Sequence, residues 1–258
     1  MILLFIVFGT LVAGVGSVML ATLINPGASS RYAPDMLSFA AGALLSTACM
    51  HLLPEALEGG VEPKSICTAL LFGLVLFFVL EKAELWHHGH EHHEHSEPHH
   101  KDHNHNGNAM GGAWAVLAGD SVHCFGDGLL IAAAFFADIK LGVLASLAVL
   151  THEIPHHMGD LAVMQRSSNG QKMGLLKVTL AGSVTTIGGL MGYWLVQPLK
   201  PWLPYFLTAA ASSFIYVALA DLIPQLQKHV VPRQATRQII ALILGIAVVT
   251  LTTRFDVI

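Results

Sequence analysis

HCFGDG, residues 123–128, and THEIPHHMGD, residues 151–160, are two polar motifs inside segments that are otherwise apolar. An ionisable side chain at the centre of a bilayer costs about 2.5–3.5 kcal/mol on insertion scales. Asp127, Glu153 and Asp160 together would therefore cost roughly 8–10 kcal/mol if they had no partners. The histidines beside them indicate that the partner is a metal cation.

The composition is that of a membrane protein. Of the 258 residues, 53% are hydrophobic and only 12% are charged, whereas a soluble domain carries about 25% charged residues. No basic and aromatic residues are arranged to bind nucleic acid. The cysteines Cys49, Cys67 and Cys124 all lie in apolar stretches, so a disulfide framework is not expected. We therefore predict an all-α membrane protein with the lipid bilayer as its surroundings.

Eight apolar runs are long enough to span about 30 Å of hydrocarbon. They lie near residues 2–24, 36–58, 65–86, 110–136, 139–166, 173–197, 202–226 and 236–254. We predict four segments: helices 1–3 over residues 1–86, a histidine-rich loop over 87–109, metal-binding helices 4 and 5 over 110–166, and helices 6–8 over 167–258.

Lysine and arginine residues are unevenly distributed between the two sides of this predicted bundle. One side holds nine of them: Arg31, Lys82, Lys101, Arg166, Lys172, Lys177, Lys228, Arg233 and Arg237. The other side holds four: Lys64, Lys140, Lys200 and Arg254. The excess predicts that the first side is cytoplasmic. Both termini then lie outside the cytoplasm, and the histidine-rich loop lies inside it.

Three prolines interrupt the predicted spans beside polar residues: Pro54, Pro155 and Pro224. A proline inside a helix frees the carbonyl four residues back and kinks the helix. In a membrane, that carbonyl must be satisfied by protein, water or an ion. Kinked helix packing is one explanation, and a hydrated cavity near the middle of the bundle is the one that the polar neighbours favour.

The two motifs have the spacing of metal ligands on facing helices. His123 and Asp127 are four residues apart and therefore share one face of a helix. His152, His156 and Asp160 form a second stripe with the same spacing. Two facing helices thus offer a tetrahedral ligand set, which is His123, Asp127, His152 and His156.

The ligand types select the metal. Imidazole with carboxylate suits Zn²⁺ and also Fe²⁺, Co²⁺ or Cd²⁺, whereas Mg²⁺ and Ca²⁺ prefer oxygen alone. Cys124 and Glu153 lie beside the first set and offer a second site that shares Asp127 or His156. The alternative is that these groups pair with one another and lock the bundle. So many ionisable groups at ligand spacing favour metal binding.

These residues resemble the signature motifs of the ZIP family of zinc transporters. His123-Cys-Phe-Gly-Asp127-Gly128 is similar to HNFxDG, and His152-Glu-Ile-Pro-His156-His-Met-Gly-Asp160 is similar to HEIPHELGD. The resemblance extends to Gly119-Asp120, to His51-Leu-Leu-Pro-Glu55 and to Tyr216-Val-Ala-Leu-Ala-Asp221. With the eight segments and the histidine-rich loop, it covers nearly the whole chain.

The resemblance implies an importer of divalent metal, chiefly Zn²⁺ and also Cd²⁺, Fe²⁺ or Mn²⁺. It implies a primary site of His123, Asp127, His152 and His156, and a neighbouring site of Cys124, Asp127, Glu153 and His156. It also implies an inverted-repeat 3+2+3 bundle, in which helices 1, 4, 5 and 6 slide against helices 2, 3, 7 and 8. Relatives often form homodimers. The short chain resembles bacterial members, and hence a multi-pass protein of the inner membrane.

This chain departs from the family motifs at two positions. Cys124 replaces the usual Asn, which exchanges an amide oxygen for a potential thiolate, and His157 replaces the second Glu. The predicted sixth helix also lacks an acidic residue. We expect Cys124 to favour softer ions such as Zn²⁺ or Cd²⁺. Further polar residues are predicted to line the route or to orient the ligands: His51, Glu55, Asp120, His157, Asp160 and Asp221. For Asp160 the alternative is a hydrogen bond that only packs the helices.

The predicted loop is a candidate for metal capture by many weak, exchangeable contacts. Its histidines are His87, His88, His90, His92, His93, His95, His99, His100, His103 and His105. A solvated linker is the alternative. A cytoplasmic location predicts capture or sensing of metal after translocation rather than selection before it.

An intramembrane zinc metalloprotease is the alternative from another class, since residues 152–156 read H-E-x-x-H. Pro155 does not suit the regular helix that this motif needs, and the protease hypothesis leaves His123 and Asp127 without a role. A metal sensor or storage protein is a third option, which rests on the loop alone. We therefore expect a transporter that works by alternating access around a midplane site, and not an enzyme.

Overall fold

The structure is a computed structural model, and it describes residues 1–24, 26–89, 108–167, 171–227 and 232–254. Over these ranges the chain forms eight long helices, which we name α1 to α8. Five of them are uninterrupted α-helices: α3 (Pro63–Gly89), α4 (Asn108–Ala137), α5 (Ile139–Ser167), α6 (Gln171–Val196) and α8 (Pro232–Arg254).

The other three helices each contain one π-helical turn between two α-helical segments. In α1 the segments are Ile2–Leu11, the π turn Val12–Gly16, and Ser17–Leu23. In α2 they are Pro26–Thr47, the π turn Ala48–Leu52, and Leu53–Glu58. In α7 they are Leu203–Tyr216, the π turn Val217–Leu222, and Ile223–Gln227, after a 3₁₀ turn at Lys200–Trp202.

The π turns explain how two of the three prolines fit. In α2 the amide of Leu53 donates to the carbonyl of Ala48, five residues back, and Pro54 follows directly. In α7 the amide of Ile223 donates to Ala218 in the same way, and Pro224 follows. The wider turn changes the hydrogen-bond register just before a residue that has no amide hydrogen to donate. Pro155, in contrast, lies inside the regular helix α5.

Seven of the helices are long and apolar enough, within the described residues, to cross a membrane by length and composition. The remaining helix is α5, because the histidines and carboxylates of its motif lower its hydropathy. Its helix forms as predicted, and it follows α4 after the single residue Asp138, whose carboxylate accepts a hydrogen bond of 2.8 Å from the amide of Lys140.

The helices pack in two groups. In the first group α4 packs extensively on α6 and also on α5, while α1 packs on α5 and α6. In the second group α2 packs on α8, α3 packs on α7, and α2 and α7 contact each other. The groups meet where α2 packs on α5 and where α4 packs on α7. The two polar motifs therefore lie on adjacent helices inside the first group.

The ends of three helices differ from the predicted spans. α3 continues through Gly89 and α4 begins at Asn108, so both ends of the predicted loop 87–109 are helical. Residues 90–107 lie outside the described part of the chain. α2 begins at Pro26 rather than near residue 36.

Candidate metal centre

The ionisable side chains of α4 and α5 form three clusters in the described part of the chain. In each cluster, one ligand atom from every residue lies within 4.8 Å of the others. The helical repeat explains why they meet, since residues three and four apart share a face of each helix. We call the clusters the first, second and third, in order along α5.

The first cluster consists of His123, Asp127, His152 and Glu153. The Nε2 atoms of the two histidines are 3.3 Å apart, and each lies 3.3 Å from Glu153 Oε1. His152 Nε2 also lies 3.2 Å from Asp127 Oδ2. Ligand atoms bonded to zinc at 2.0–2.1 Å in a tetrahedron are separated by about 3.3–3.4 Å. The cluster thus has the dimensions of a zinc site.

The polar atoms of the first cluster are not satisfied by hydrogen bonds alone. Asp127 Oδ2 and Glu153 Oε1 are buried and in no aligned hydrogen bond, although imidazole nitrogens lie close to both. His152 Nδ1 lies 3.3 Å from the carbonyl of Ala148. If Nδ1 carries the hydrogen, Nε2 keeps its lone pair for a metal.

The second cluster consists of Asp120, Cys124, Glu153 and His157, all of them buried. His157 Nε2 lies 3.1 Å from Glu153 Oε2. Cys124 Sγ lies 3.7 Å from Asp120 Oδ1, 3.8 Å from Glu153 Oε2 and 3.9 Å from His157 Nε2. The longer sulfur distances suit the longer zinc–sulfur bond of about 2.3 Å. Glu153 therefore bridges two clusters, with one carboxylate oxygen in each.

A residue of α1 orients the imidazole of the second cluster. The hydroxyl of Ser17 donates to the carbonyl of Gly14 and lies 2.9 Å from His157 Nδ1. Because a hydroxyl has one hydrogen, and Ser17 uses it on Gly14, the imidazole must donate from Nδ1. His157 Nε2 then presents a lone pair to the cluster. The sequence analysis missed Ser17, for which no motif or local spacing gives a signal.

The third cluster consists of Asp120, His156 and Asp160. His156 Nδ1 lies 3.4 Å from Asp120 Oδ1 and 3.3 Å from Asp160 Oδ2. The imidazole ring of His156 stacks on that of His123, with centroids 5.6 Å apart. His156 therefore contacts the first cluster through its ring face and the third through its nitrogen.

The structure regroups the predicted ligands. Of the predicted first set, His123, Asp127 and His152 come together, and Glu153 takes the position predicted for His156. Of the predicted second set, only Cys124 and Glu153 meet in the second cluster.

Of the residues predicted to line the route or orient the ligands, Asp120, His157 and Asp160 belong to the clusters, whereas His51 and Glu55 do not. His51 is half-buried in the π turn of α2, and Glu55 is exposed in the segment that follows. Asp221 belongs to the π turn of α7, and its side chain is outside the description.

Only two histidines of the predicted metal-capture loop fall in the described chain. The backbone of His87 and His88 belongs to the end of α3. The other eight, His90 to His105, lie outside the described residues.

A helical bundle with seven membrane-crossing candidates and buried imidazole–carboxylate clusters defines a membrane protein that handles metal ions. A family model described as "ZIP Zinc transporter" matches residues 1–110 and 84–253. The chain therefore belongs to the ZIP zinc transporter family and is a multi-pass integral membrane protein. Members of this family are transporters and not enzymes, so the metalloprotease alternative has no support.

Individual relatives agree with the family assignment. The chain is 28% identical to the zinc transporter ZIP13 of Pongo abelii over 257 residues, which cover 92% of this chain and 71% of that protein. It is 33% identical to the zinc transporter foi of Drosophila melanogaster over 147 residues, covering 56% and 20%. It is 37% identical to human zinc transporter ZIP10 over 114 residues, covering 44% and 14%. The chain thus spans only a small part of the latter two proteins.

Proposed function

We propose that this chain imports Zn²⁺ into the cytoplasm along a path between α4 and α5. The observation that carries the proposal is the first cluster, where two imidazole nitrogens and a carboxylate oxygen lie 3.3 Å from one another. These separations match the edges of a tetrahedral zinc site. The names of the relatives, all zinc transporters, support the same ion.

We also propose that other transition metals compete with zinc. Imidazole and carboxylate ligands accept Fe²⁺, Mn²⁺ and Cd²⁺ as well as Zn²⁺. The thiol of Cys124 adds a soft ligand to the second cluster, which favours Cd²⁺ and Zn²⁺ over Mn²⁺. The metal is the transported substrate here.

In the proposed topology, α5 crosses the membrane in addition to the seven candidate helices, which gives eight spans. Both termini then lie outside the cytoplasm. Three features support the crossing of α5: its length of 29 residues, its one-residue join to α4, and the burial of its polar face in the clusters. An uneven distribution of lysine and arginine supports the orientation. The segments proposed from the sequence keep their roles, with residues 87–109 facing the cytoplasm.

We propose an inverted repeat that relates α1, α2 and α3 to α6, α7 and α8, with α4 related to α5. The packing supports it, because the most extensive contacts have counterparts under this exchange. The α2–α8 pair corresponds to α7–α3, α4–α6 to α5–α1, and α2–α5 to α7–α4. The π turns that precede Pro54 and Pro224 correspond as well.

The two packing groups support a mechanism of alternating access. We propose that α1, α4, α5 and α6 move with the ion against α2, α3, α7 and α8, because contacts are denser within these groups than between them. Homodimer formation and a bacterial inner membrane complete the proposal, and they rest on the family resemblance alone.

The experiment is Zn²⁺ uptake into proteoliposomes that contain the purified full chain. Wild-type protein should give saturable uptake without ATP. His152→Ala should abolish it, because that variant removes the imidazole closest to Asp127. Asp138→Asn is the control, since Asp138 is exposed in the α4–α5 join and Asn can also cap a helix. Absence of uptake by folded wild-type protein would contradict the proposal.

Transport in the opposite direction would contradict the proposed import. The two directions are separated with vesicles in which every protein molecule has the same orientation. Zinc is supplied either inside or outside these vesicles, and the two fluxes are compared. Cleavage of a membrane peptide without zinc flux would instead support the metalloprotease alternative.

A further inference from the structure

The third cluster is a separate group of possible ligands, beyond the two clusters used above. Asp120 comes from α4, and His156 and Asp160 come from α5. Both carboxylates lie within 3.4 Å of His156 Nδ1. Two carboxylates around one imidazole nitrogen form a mixed ligand set that suits Zn²⁺.

The polar atoms of this cluster lack the hydrogen bonds that burial requires. Asp120 is 3% exposed and Asp160 is 7% exposed. His156 Nδ1, Asp160 Oδ2 and Asp120 Oδ2 are buried, and none is in an aligned hydrogen bond. Because uncompensated buried charge is costly, this arrangement favours an external cation.

Asp120 connects the third cluster to the second. Its Oδ1 atom lies 3.4 Å from His156 Nδ1 in the third cluster and 3.7 Å from Cys124 Sγ in the second. Glu153 connects the second cluster to the first in the same way, through its two oxygens. A shared carboxylate therefore joins each cluster to the next, and an ion can pass without leaving its ligands.

The order of the clusters follows from the antiparallel helices α4 and α5. Asp120 is the ligand nearest the start of α4, and Asp160 is the ligand nearest the end of α5. The third cluster therefore lies toward the end of this helix pair at which α4 begins. The histidine-rich segment connects to α4 at that same end. The side chain of His156 is 38% exposed, whereas every residue of the second cluster is buried.

We propose that Asp120, His156 and Asp160 form a third divalent-cation site, from which the transported ion leaves toward the side of the histidine-rich segment. This inference rests on the proposed transport function. The ion moves from the second cluster by exchanging its bond to Cys124 or His157 for one to His156, while Asp120 remains bound. Asp160 then completes its ligands.

Anomalous diffraction from Cd²⁺-soaked crystals of the full chain tests the site directly. Wild-type protein should show a cadmium peak bounded by Asp120, His156 and Asp160. Asp160→Asn should lose this peak and keep those of the first two clusters, which also shows that the variant folds. Asp138→Asn, the same chemical change outside the clusters, should keep all of them.

Two diffraction outcomes would overturn the proposal at different levels. Cadmium in the first two clusters of wild-type protein, with none in the third, would remove the third site and leave the proposed function intact. Cadmium in none of the clusters would contradict the proposed transport path as well.

Uptake kinetics provide the second measurement. Asp160→Asn should lower the maximal rate of Zn²⁺ uptake into proteoliposomes and leave the half-saturating concentration close to wild type, because entry does not involve this site. Asp160→Glu keeps a carboxylate and should recover much of the rate. The rate is expressed per folded molecule, because a purely structural role for Asp160 would lower the amount of folded protein and leave the rate of each folded molecule unchanged. Wild-type uptake by Asp160→Asn would exclude the cluster from the path.

Discussion

Cys124 gives the second cluster a chemistry that the first lacks. Its thiol is fully buried and faces a carboxylate on each side and the imidazole of His157. Cysteine binds metal as the thiolate, a soft ligand, which stabilises Cd²⁺ and Zn²⁺ more than Mn²⁺ or Fe²⁺. An ion that passes through this cluster is therefore tested for softness as well as for size.

Replacing the thiol with the amide of the family motif should change selectivity. We expect Cys124→Asn to lower Cd²⁺ uptake relative to Fe²⁺ and Mn²⁺ by about tenfold, the lower end of the effects known for changes around metal ligands. Competition between metals in proteoliposomes measures the ratio. Cys67→Ser removes an exposed thiol and should leave it unchanged. Equal ratios for Cys124→Asn and wild type would exclude a selective role for the thiol.

Ser17 acts through the imidazole of His157. Ser17→Ala removes the acceptor of the Nδ1 hydrogen, so the ring no longer holds one tautomer. We expect Cd²⁺ affinity at the second cluster to fall by about 10–100-fold, seen as a weaker thiolate-to-cadmium absorption at a given concentration. Ser17→Thr keeps the hydroxyl and should restore the signal. If Ser17→Ala yields less folded protein but that protein binds Cd²⁺ as wild type does, Ser17 has a packing role alone.

Helical spacing predicts which side chains share the site, but not which atoms meet. Residues 152, 156 and 160 lie on one stripe, which is why His156 was expected beside His152. Glu153 lies about 100° round the helix from His152, yet its side chain is long enough to reach that imidazole. The side chain of His156 turns toward Asp160 instead. Such choices depend on rotamers and on the facing helix. Ser17 is further from prediction, because it contacts a residue 140 positions away.

Close contact between α4 and α6 holds the ligand-bearing face of α4 in place. A Cβ atom on Gly128 would overlap the carbonyl oxygen of Thr185, and one on Gly188 would overlap the carbonyl oxygen of Phe125. The two glycines therefore let the helix backbones touch, as small residues do in membrane helices. Gly128 follows Asp127 directly, so any shift of α4 at this point displaces a ligand.

Gly128→Ala should force α4 and α6 apart. Overpacking of this kind costs about 1–3 kcal/mol, and we expect a lower thermal midpoint together with reduced Zn²⁺ uptake. Gly126→Ala is the matched control, because a Cβ at Gly126 meets no other atom within 4 Å. Thermal unfolding in detergent measures the effect. Equal midpoints for the two variants would show that the α4–α6 contact relaxes without cost.

The helices themselves are largely predictable from sequence, whereas their irregularities are not. Long apolar runs must form helices in a bilayer, because every backbone group needs an internal hydrogen bond there. The predicted loop 87–109 overlaps both helix ends, because α3 and α4 extend beyond their apolar parts. The π turns of α2 and α7 had only Pro54 and Pro224 as a signal, and the π turn of α1 at Val12–Gly16 had none.

At the scale of the molecule, all three clusters lie within one of the two packing groups. The clusters are built from α4 and α5, and α1 contributes Ser17 to their orientation. The helices α3 and α8 are largely exposed along their apolar faces, as expected for surfaces covered by lipid or by a second copy. A rigid group that holds all the ligands can move without losing the ion.

The carboxylate of Glu153, shared by two clusters, has a kinetic consequence for the proposed path. One carboxylate cannot fully neutralise two divalent ions at once, so an ion arriving in the first cluster weakens the hold on its predecessor in the second. Ions in adjacent sites then displace one another, as they do in the single file of a selective channel. On the proposed path, each newly captured zinc would speed the departure of the one ahead, and tight binding would be compatible with rapid turnover.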